Sequence, residues 1–331
     1  MLYEWLKSYT FFSKRLDDQF FWTILEGPNN TDLSIMDIAI LSVGLSVHST
    51  RRIVEEAQNA GHYIELIDHT KCSVKLGEGK PQIFFGEENV TDEFDAIIPR
   101  IGAKVTRHGA AIVKQFEMNN VFSTARSLGI TRARNKVRTL QIMARKGIPI
   151  PQTLFSINPD NIEEQIRLLG GPPVIIKLQE GTHGLGVILA ETKKSAKSII
   201  DTLYKMDTSI LLQQYVEEAQ GEDIRLIVVG NKVVASMKRK SELDEFRSNV
   251  HRGADTEAIN PTPKEKYIAL NATKYLGLGV AGVDLIRSEK GPLLLEVNAS
   301  PGLRGIEAAT HVNVAKHIIQ FVEKNAFRKR K

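Results

Sequence analysis

The stretch Val283-Asp284-Leu285-Ile286-Arg287-Ser288-Glu289-Lys290-Gly291-Pro292-Leu293-Leu294-Leu295-Glu296-Val297-Asn298 sets two apolar runs on either side of a short polar turn. Acids placed inside such strands are costly to bury unless they are paired or bind a metal. With Glu289-Lys290-Gly291 as a three-residue hairpin loop and glycine in the left-handed position, Arg287 pairs with Leu293 and Asp284 falls opposite Glu296. Strand period two then puts Asn298 on the face of Glu296 and turns Val297 away. A four-residue loop would shift the register by one. In the three-residue register three oxygen-bearing side chains converge, and hard oxygen donors with room left for water and phosphate suit Mg²⁺. The competing picture is a hairpin with solvated acids, which the apolar strands disfavour.

Upstream, Gly181-Thr182-His183-Gly184-Leu185-Gly186-Val187 places three glycines between the apolar runs 174–178 and 187–190. A Walker loop needs a strand-to-helix turn and a terminal Gly-Lys-Ser/Thr, so this is not one. A glycine hairpin between strands can instead close over a triphosphate, because residues without a Cβ let backbone N–H groups approach anionic oxygens. Lys177, at the end of the first strand, is better explained by a phosphate than by a side chain snorkelling to the surface. Between the two hairpins lies Asp244-Glu245-Phe246-Arg247-Ser248-Asn249-Val250-His251-Arg252-Gly253, preceded by Lys238-Arg239-Lys240. Surface charge is the plain explanation; in this setting the arginines are also suited to clamping a phosphoryl group and a carboxylate bidentately. His251 is taken as structural.

The rest of the chain is ordinary globular protein: 331 residues, 42% hydrophobic and 25% charged, with a formal charge of +5. No run approaches the roughly 18 apolar residues that would span a bilayer. The one cysteine, Cys72, excludes an intrachain disulfide, and the first residues lack the apolar core of a secretory signal, so the cytoplasm is the expected location. Mild basicity suits anionic partners, but the surplus is spread along the chain and gives nucleic acid little support. Alternation of apolar runs with helical patterns (strand 38–43, helix 49–60 stopped by Gly61, strand 63–67, strand 96–98, helix 110–118) predicts a parallel sheet, and the absence of GxGxxG after its first strand argues against a dinucleotide site. Beyond Pro149 and Pro151, strands at 174–178, 187–190, 210–216, 224–229, 233–237, 280–286 and 293–297 are joined too tightly for crossovers. Gly230-Asn231 suits a two-residue type II′ or I′ hairpin, so this half is expected to be antiparallel, with helices near 193–206 and 264–276.

With these motifs in order, the chain resembles the ATP-grasp superfamily and, more narrowly, the RimK family of α-L-glutamate ligases. The resemblance covers about residues 37–325 and rests on IPRIG at 98–102, ARNK at 133–136, KLQEGTHGLGV at 177–187, EAQGEDIR at 218–225, FRSNVHRG at 246–253, GVAGVD at 279–284 and EVNASPGL at 296–303. It implies an α/β (α+β) fold: an N-terminal extension 1–35, a parallel-sheet pre-ATP-grasp domain 36–130, a central lid subdomain 131–209 with the glycine-rich hairpin, a C-terminal catalytic subdomain 210–327 and a basic tail 328–331. It further implies that Lys136 and Lys177 contact ATP phosphates under the hairpin of Gly181, Thr182, Gly184 and Gly186. The backbone of Gln214, Tyr215, Val216 and Glu217 would hold adenine, Asp223 ribose, and Arg247, Ser248 and Asn249 would close on the nucleotide. Asp284, Glu296 and Asn298 would carry two Mg²⁺ or Mn²⁺ ions, with Arg239 and Arg252 as catalytic contacts to the phosphoryl group or substrate carboxylate.

The implied reaction joins L-glutamate, through an acyl phosphate, to the acidic C-terminal peptide of small-subunit ribosomal protein six or to a growing poly-α-glutamate. A homo-oligomer, dimer or tetramer, is expected. Two other classes stay open: a related ligase for a small acceptor (a cofactor, a lysine-pathway carrier or N-acetylaspartate), and a nucleotide-binding regulatory protein without ligase activity. Met237-Lys238-Arg239-Lys240-Ser241 departs from the family's basic-small pattern, and the first 35 residues have no counterpart in it, so the choice of acceptor is what these features leave open.

Overall fold

The computed structural model describes residues 35–77, 79–156, 161–179, 186–240 and 255–327. Gly181, Thr182 and Gly184 of the glycine hairpin, the segment with Arg247, Ser248, Asn249, His251 and Arg252, the first 34 residues and the tail 328–331 lie outside the described residues.

The parallel sheet opens with β1 (Asp37–Leu41), α1 (His48–Asn59) and β2 (Tyr63–Ile67). Gly61, at φ +83°, takes the left-handed conformation that stops α1 where the sequence places the stop. Three strands follow that the hydrophobic pattern does not announce: β3 (Cys72–Lys75), β4 (Gln82–Phe85) and β5 (Glu88–Asn89), a small antiparallel sheet of its own. They are too short for alternation to stand out. Next come β6 (Ala96–Pro99), α2 (Thr106–Met118) and β7 (Phe122–Ser123), which complete the parallel order β2-β1-β6-β7. Period two divides β1 between two cores: Ile38 and Ile40 pack with Ile53 and Ala57 of α1, and Leu41 with Ile112, Val113 and Phe116 of α2. Burial on both faces is what a parallel sheet requires.

Two helices, α3 (Ser127–Arg134) and α4 (Lys136–Arg145), lead to the second sheet, with the Asn135 side chain capping α4 by accepting from the Arg138 N–H at 2.9 Å. That sheet contains β8 (Thr153–Ser156), β9 (Val174–Leu178), β10 (Val187–Ala190) and β11 (Ile210–Gln214) in the antiparallel order β10-β9-β11-β8. Helices α5 (Ile162–Leu168) and α6 (Lys193–Lys205) contribute Ile162, Ile166, Ala196 and Ile200 to a core with Val174, Ile176, Ile210 and Leu212. The sheet therefore spans Thr153 to Gln214. Within it β11 pairs with both β8 and β9, while Met143 of α4 packs in the core of the third sheet.

The third sheet is antiparallel, in the order β14-β13-β12-β15-β16. Its strands are β12 (Glu222–Val229), β13 (Lys232–Lys240), β14 (Asp255–Ala258), β15 (Val280–Ser288) and β16 (Gly291–Asn298), with α7 (Pro263–Leu276) between β14 and β15. Helices α8 (Arg304–Thr310) and α9 (Val314–Asn325) follow. At the β12–β13 turn only Gly230, at φ +60°, takes a positive φ, which selects type II′ over I′. One face, with Ile224, Leu226, Val283 and Leu285, packs on Ile268, Ala272 and Leu276 of α7; the other, with Ile227, Val229 and Val280, packs on Ile306 of α8 and Ile318 of α9. No helix among the described residues is long and apolar enough to cross a membrane.

The β15–β16 hairpin corrects the loop assigned from sequence. Ser288 pairs with Gly291 and Arg287 with Pro292, so the loop is the two residues Glu289 and Lys290. The register then shifts between Asp284 and Leu285: Leu285 pairs with Leu294, Asp284 with Glu296 and Gly282 with Asn298. Leu295 is the extra residue of a bulge. The shorter loop and the bulge cancel, and the acids face each other as the sequence predicts, although Arg287 does not meet Leu293.

Candidate active site

On the face of the third sheet that packs α8 and α9 at one end, the same strand positions turn charged at the other. Arg225, Asp284 and Glu296 lie side by side across β12, β15 and β16, because Arg225 pairs with Asp284 and Asp284 with Glu296. On the other side Asp223 pairs with Arg239 of β13. Arg225 grips Asp284 with both arms of its fork, Nε to Oδ1 at 2.8 Å and Nη2 to Oδ2 at 2.6 Å. Arg239 donates from Nε to Asp223 Oδ1 at 2.6 Å and reaches Asp284 Oδ2 with Nη2 at 3.2 Å. Arg239 is 2% and Asp284 3% exposed. Burial works against both charges, yet the Asp284 carboxyl stays well below the usual carboxylate range because Arg225 and Arg239 face it. Arg239 is likewise held above its ordinary value, the acids Asp284 and Asp223 outweighing its desolvation.

Beyond that paired core the hairpin presents its remaining donors. Asn298 Nδ2 donates to Glu296 Oε1 at 2.9 Å, and Glu296 and Asp284 are close enough to share a hydrogen bond. Two carboxylates and an amide oxygen so placed form a hard-donor set, and adjacent carboxylates repel unless a cation joins them. No group of three or more His, Cys, Asp or Glu side chains suited to a metal occurs among the described residues. The set still fits Mg²⁺ or Mn²⁺ in the way Mg²⁺ is held beside phosphates, by one or two carboxylates with water and phosphate completing the shell.

The second sheet supplies the opposing charge. In β9, Val174 and Ile176 turn to the helices α5 and α6, so period two turns Lys177 to the other face. Its Nζ donates to Gln213 Oε1 at 2.6 Å, and Gln213 Nε2 donates to Thr153 Oγ1 at 2.8 Å. Desolvation pushes the Lys177 pKa down to about 8; Glu296, Asp223 and Asp284 pull it up and Lys136 pushes it further down. One electrostatic neighbourhood therefore holds Lys136, Lys177, Asp223, Asp284 and Glu296. Lys136 Nζ donates to the carbonyls of Leu178 and Gln179, each at 3.3 Å, so it sits at the root of the glycine hairpin.

Gly186 closes that root. It lies at φ +78°, its carbonyl accepts from the Leu178 N–H at 2.7 Å, and an added Cβ would stand 2.6 Å from the Leu178 side chain. Gln214 ends β11, and Tyr215, Val216 and Glu217 run from it into the short turn before β12, joining the second sheet to the third. Asp223, assigned to ribose from sequence, has its carboxylate on Arg239 in this structure. Sequence reasoning missed Arg225 and Arg134. The signal for Arg225 was available, since it lies two residues from Asp223 and so shares its strand face. Arg134, at the end of α3, is half-buried; desolvation lowers its pKa and the charge of Glu296 opposes that, which places it beside the acids. No periodicity marks it.

Comparison with known proteins separates a ligase from a nucleotide-binding protein without ligase activity. The family described as RimK-like ATP-grasp domain matches residues 133–322, and the RimK PreATP-grasp domain matches residues 36–130. The chain belongs to the RimK ATP-grasp family. It is therefore an ATP-dependent ligase, of a superfamily that works with ATP and a divalent metal. A protein of Marinobacter nauticus named "Probable alpha-L-glutamate ligase" is 50% identical over 290 residues, covering 88% of this chain and 96% of that one. One of the same name from Nitrosococcus oceani is 49% identical over 295 residues, covering 89% and 98%. Among solved structures, the RimK domain protein ATP-grasp from Sphaerobacter thermophilus aligns with a TM-score of 0.65 at 22% identity, over 86% of this chain and 98% of that one. The ATP-grasp ligase PsnB complexed with minimal precursor, Mg and ADP aligns at 0.67 and 19% identity, over 89% and 99%. These two confirm the ATP-grasp fold.

Proposed function

We propose that this RimK-family chain is an α-L-glutamate ligase that extends a C-terminal carboxylate with L-glutamate, the acceptor being the acidic C-terminus of small-subunit ribosomal protein six, a growing poly-α-glutamate, or both. The observation that carries the reading is the meeting of two charge systems: the Asp284–Glu296–Asn298 hairpin on one side and Lys136 and Lys177 on the other. The acceptor carboxylate attacks the γ-phosphorus, and the bond to ADP breaks. The α-amine of glutamate then attacks the acyl phosphate, losing a proton, and inorganic phosphate departs as the amide forms. No enzyme nucleophile takes part.

Lys136 and Lys177 hold the β- and γ-phosphates, with the hairpin of Gly181, Thr182, Gly184 and Gly186 excluding water above them. Gln214 to Glu217 line the adenine, Asp223 binds the ribose, and Arg239 contacts the transferring phosphoryl group. Arg247, Ser248, Asn249 and Arg252 close on the nucleotide and the substrate carboxylate. Asp284, Glu296 and Asn298 hold Mg²⁺ or Mn²⁺, which when bound neutralises charge on the phosphate oxygens. Incubation with ATP, Mg²⁺, L-glutamate and candidate acceptors is expected to release ADP only when glutamate and an acceptor are present. Mass spectrometry should then show the ribosomal protein's C-terminus gaining whole glutamate residues. Glu296→Ala is expected to lower the rate by about a hundredfold to a thousandfold, the size of effect seen when one electrostatic contact to the transition state is removed. ADP release indifferent to glutamate would exclude this reading, and preference for a small acceptor over the ribosomal C-terminus would replace the acceptor.

A further inference from the structure

The parallel sheet has a second place where chemistry collects. From β1 the chain turns to β2 on one side, and it later returns to lay β6 on the other side of β1. The strand order thus reverses between β1 and β6, and in open α/β sheets the crevice at the carboxyl ends of two such strands is where ligands bind. Arg100 stands there, directly after β6, with its backbone N–H on the Leu41 carbonyl at the end of β1. Beside it begins α1, whose N-cap residue, Val47, provides no side-chain cap to the first-turn N–H groups. The segment leaving Asn298 covers both: Pro301 O accepts from Arg100 Nη2 at 2.7 Å, and the Leu303 N–H donates to Ser49 Oγ at 2.9 Å.

The Arg100 guanidinium is incompletely satisfied. Among the described residues a backbone carbonyl is its one hydrogen-bond partner, its Nε is buried with no acceptor, and desolvation pushes its pKa down to about 10. It remains charged at neutral pH. Buried donors such as this Nε are nearly always paired, and a desolvated guanidinium that meets no counter-charge among the described residues is costly unless a ligand brings one. An uncapped helix N-terminus favours the same sign of ligand.

We propose that Arg100 and the N-terminus of α1 form a subsite for a substrate carboxylate, distinct from the carboxylate that is phosphorylated. This rests on the ligase reading above. A permanent carboxylate of this kind is present on the glutamate nucleophile and on the acidic side chains of a glutamate-rich acceptor, and the position beside the Asn298–Leu303 segment serves either.

Arg100→Gln and Arg100→Lys test it. Removing a charge-assisted contact is expected to raise one Michaelis constant by about tenfold to a hundredfold in Arg100→Gln, with a smaller rise in Arg100→Lys, while the KM for ATP stays unchanged. A rise in the KM for glutamate identifies the nucleophile as the source, and a rise in the KM for the peptide identifies the acceptor. Calorimetric titration with glutarate, which carries carboxylates but no amine, reads the subsite without turnover and should weaken in Arg100→Gln if the nucleophile is the source. If Arg100 only positions Pro301, the variants lose thermal stability and kcat while both substrate KM values and glutarate binding are unchanged; that result overturns the subsite. Glutamate-dependent ADP release by the unaltered protein is the control that keeps failure of the ligase reading separate from failure of this one.

Discussion

The third sheet and the second sheet are both antiparallel, and both set charged side chains among apolar strands, but they neutralise them by different means. In the third sheet Arg225, Asp284, Arg239 and Asp223 form a closed chain of ion pairs across three neighbouring strands. In the second sheet, among the described residues, Lys177 has one amide oxygen, that of Gln213, and acids at longer range. The contrast teaches that one wall of the site is organised before anything binds, whereas the other holds a cation whose full compensation comes from an anionic ligand. The two walls also have separate cores: among the described residues the second sheet packs on α5 and α6, while the third shares its cores with the parallel sheet.

The sharpest way to break the comparison is to remove a member of the closed chain. Arg239→Met takes the cation from between Asp223 and Asp284, and breaking a buried ion pair by removing one partner costs about 3–5 kcal/mol. Chemical denaturation should show that loss; an unchanged midpoint would mean that the ion pairs do not hold this wall. Lys177→Met is expected to behave in the opposite way. It removes a desolvated cation with one neutral partner, so stability should hold within about 1 kcal/mol, while ATP binding weakens by about 1.5–3 kcal/mol, the worth of a charge-assisted hydrogen bond. Loss of stability without loss of ATP affinity would reverse the roles assigned to the two walls.

A smaller effect is expected at Gly282. It pairs with Asn298, and a Cβ there would stand 2.9 Å from Pro301 Cβ. Gly282→Ala must push the segment after Asn298 outward, at about 1–3 kcal/mol for overpacking, and should weaken metal-dependent ATP binding along with stability. Wild-type metal dependence in that variant would show that the hairpin tolerates more movement than the ion-paired wall implies.

Much of this arrangement was legible from period and spacing, and the exceptions are physical. Strands 63–67, 174–178 and 187–190 are mainly apolar runs bounded by turn residues, and the structure has them at those limits. Strands β3 to β5 and β14 are two to four residues long, too short for alternation to stand out. The pairing of Asp284 with Glu296 was reached through a loop one residue too long, and it survived because a bulge at Leu295 restores the count. Turn length and bulges both add residues to a hairpin, and sequence constrains their sum better than either one. Arg225 was readable as a face-mate of Asp223, whereas Arg134 and Arg100 acquire meaning only from what burial places beside them.

The finest distinction between the walls concerns protons. Burial lowers the Lys177 pKa to about 8 in the free protein, and a triphosphate beside it favours the charged form and raises that value. Well below pH 8 the lysine is already protonated, so ATP binding should take up no proton at this position. As the pH rises through 8, the free protein loses the proton while the complex keeps it, so binding takes up as much as one proton and affinity falls across this window, levelling off once the lysine of the complex also titrates. The ion-paired acids should contribute little, because Arg225 and Arg239 keep Asp284 ionised far below this range. Calorimetry of ATP binding in buffers with different ionisation enthalpies reads the uptake directly. The expected outcome is uptake that grows above pH 8 in the wild type and vanishes in Lys177→Met. Uptake that persists in Lys177→Met would assign the proton to another group on the phosphate-binding wall, and Lys136 would be the next residue to replace.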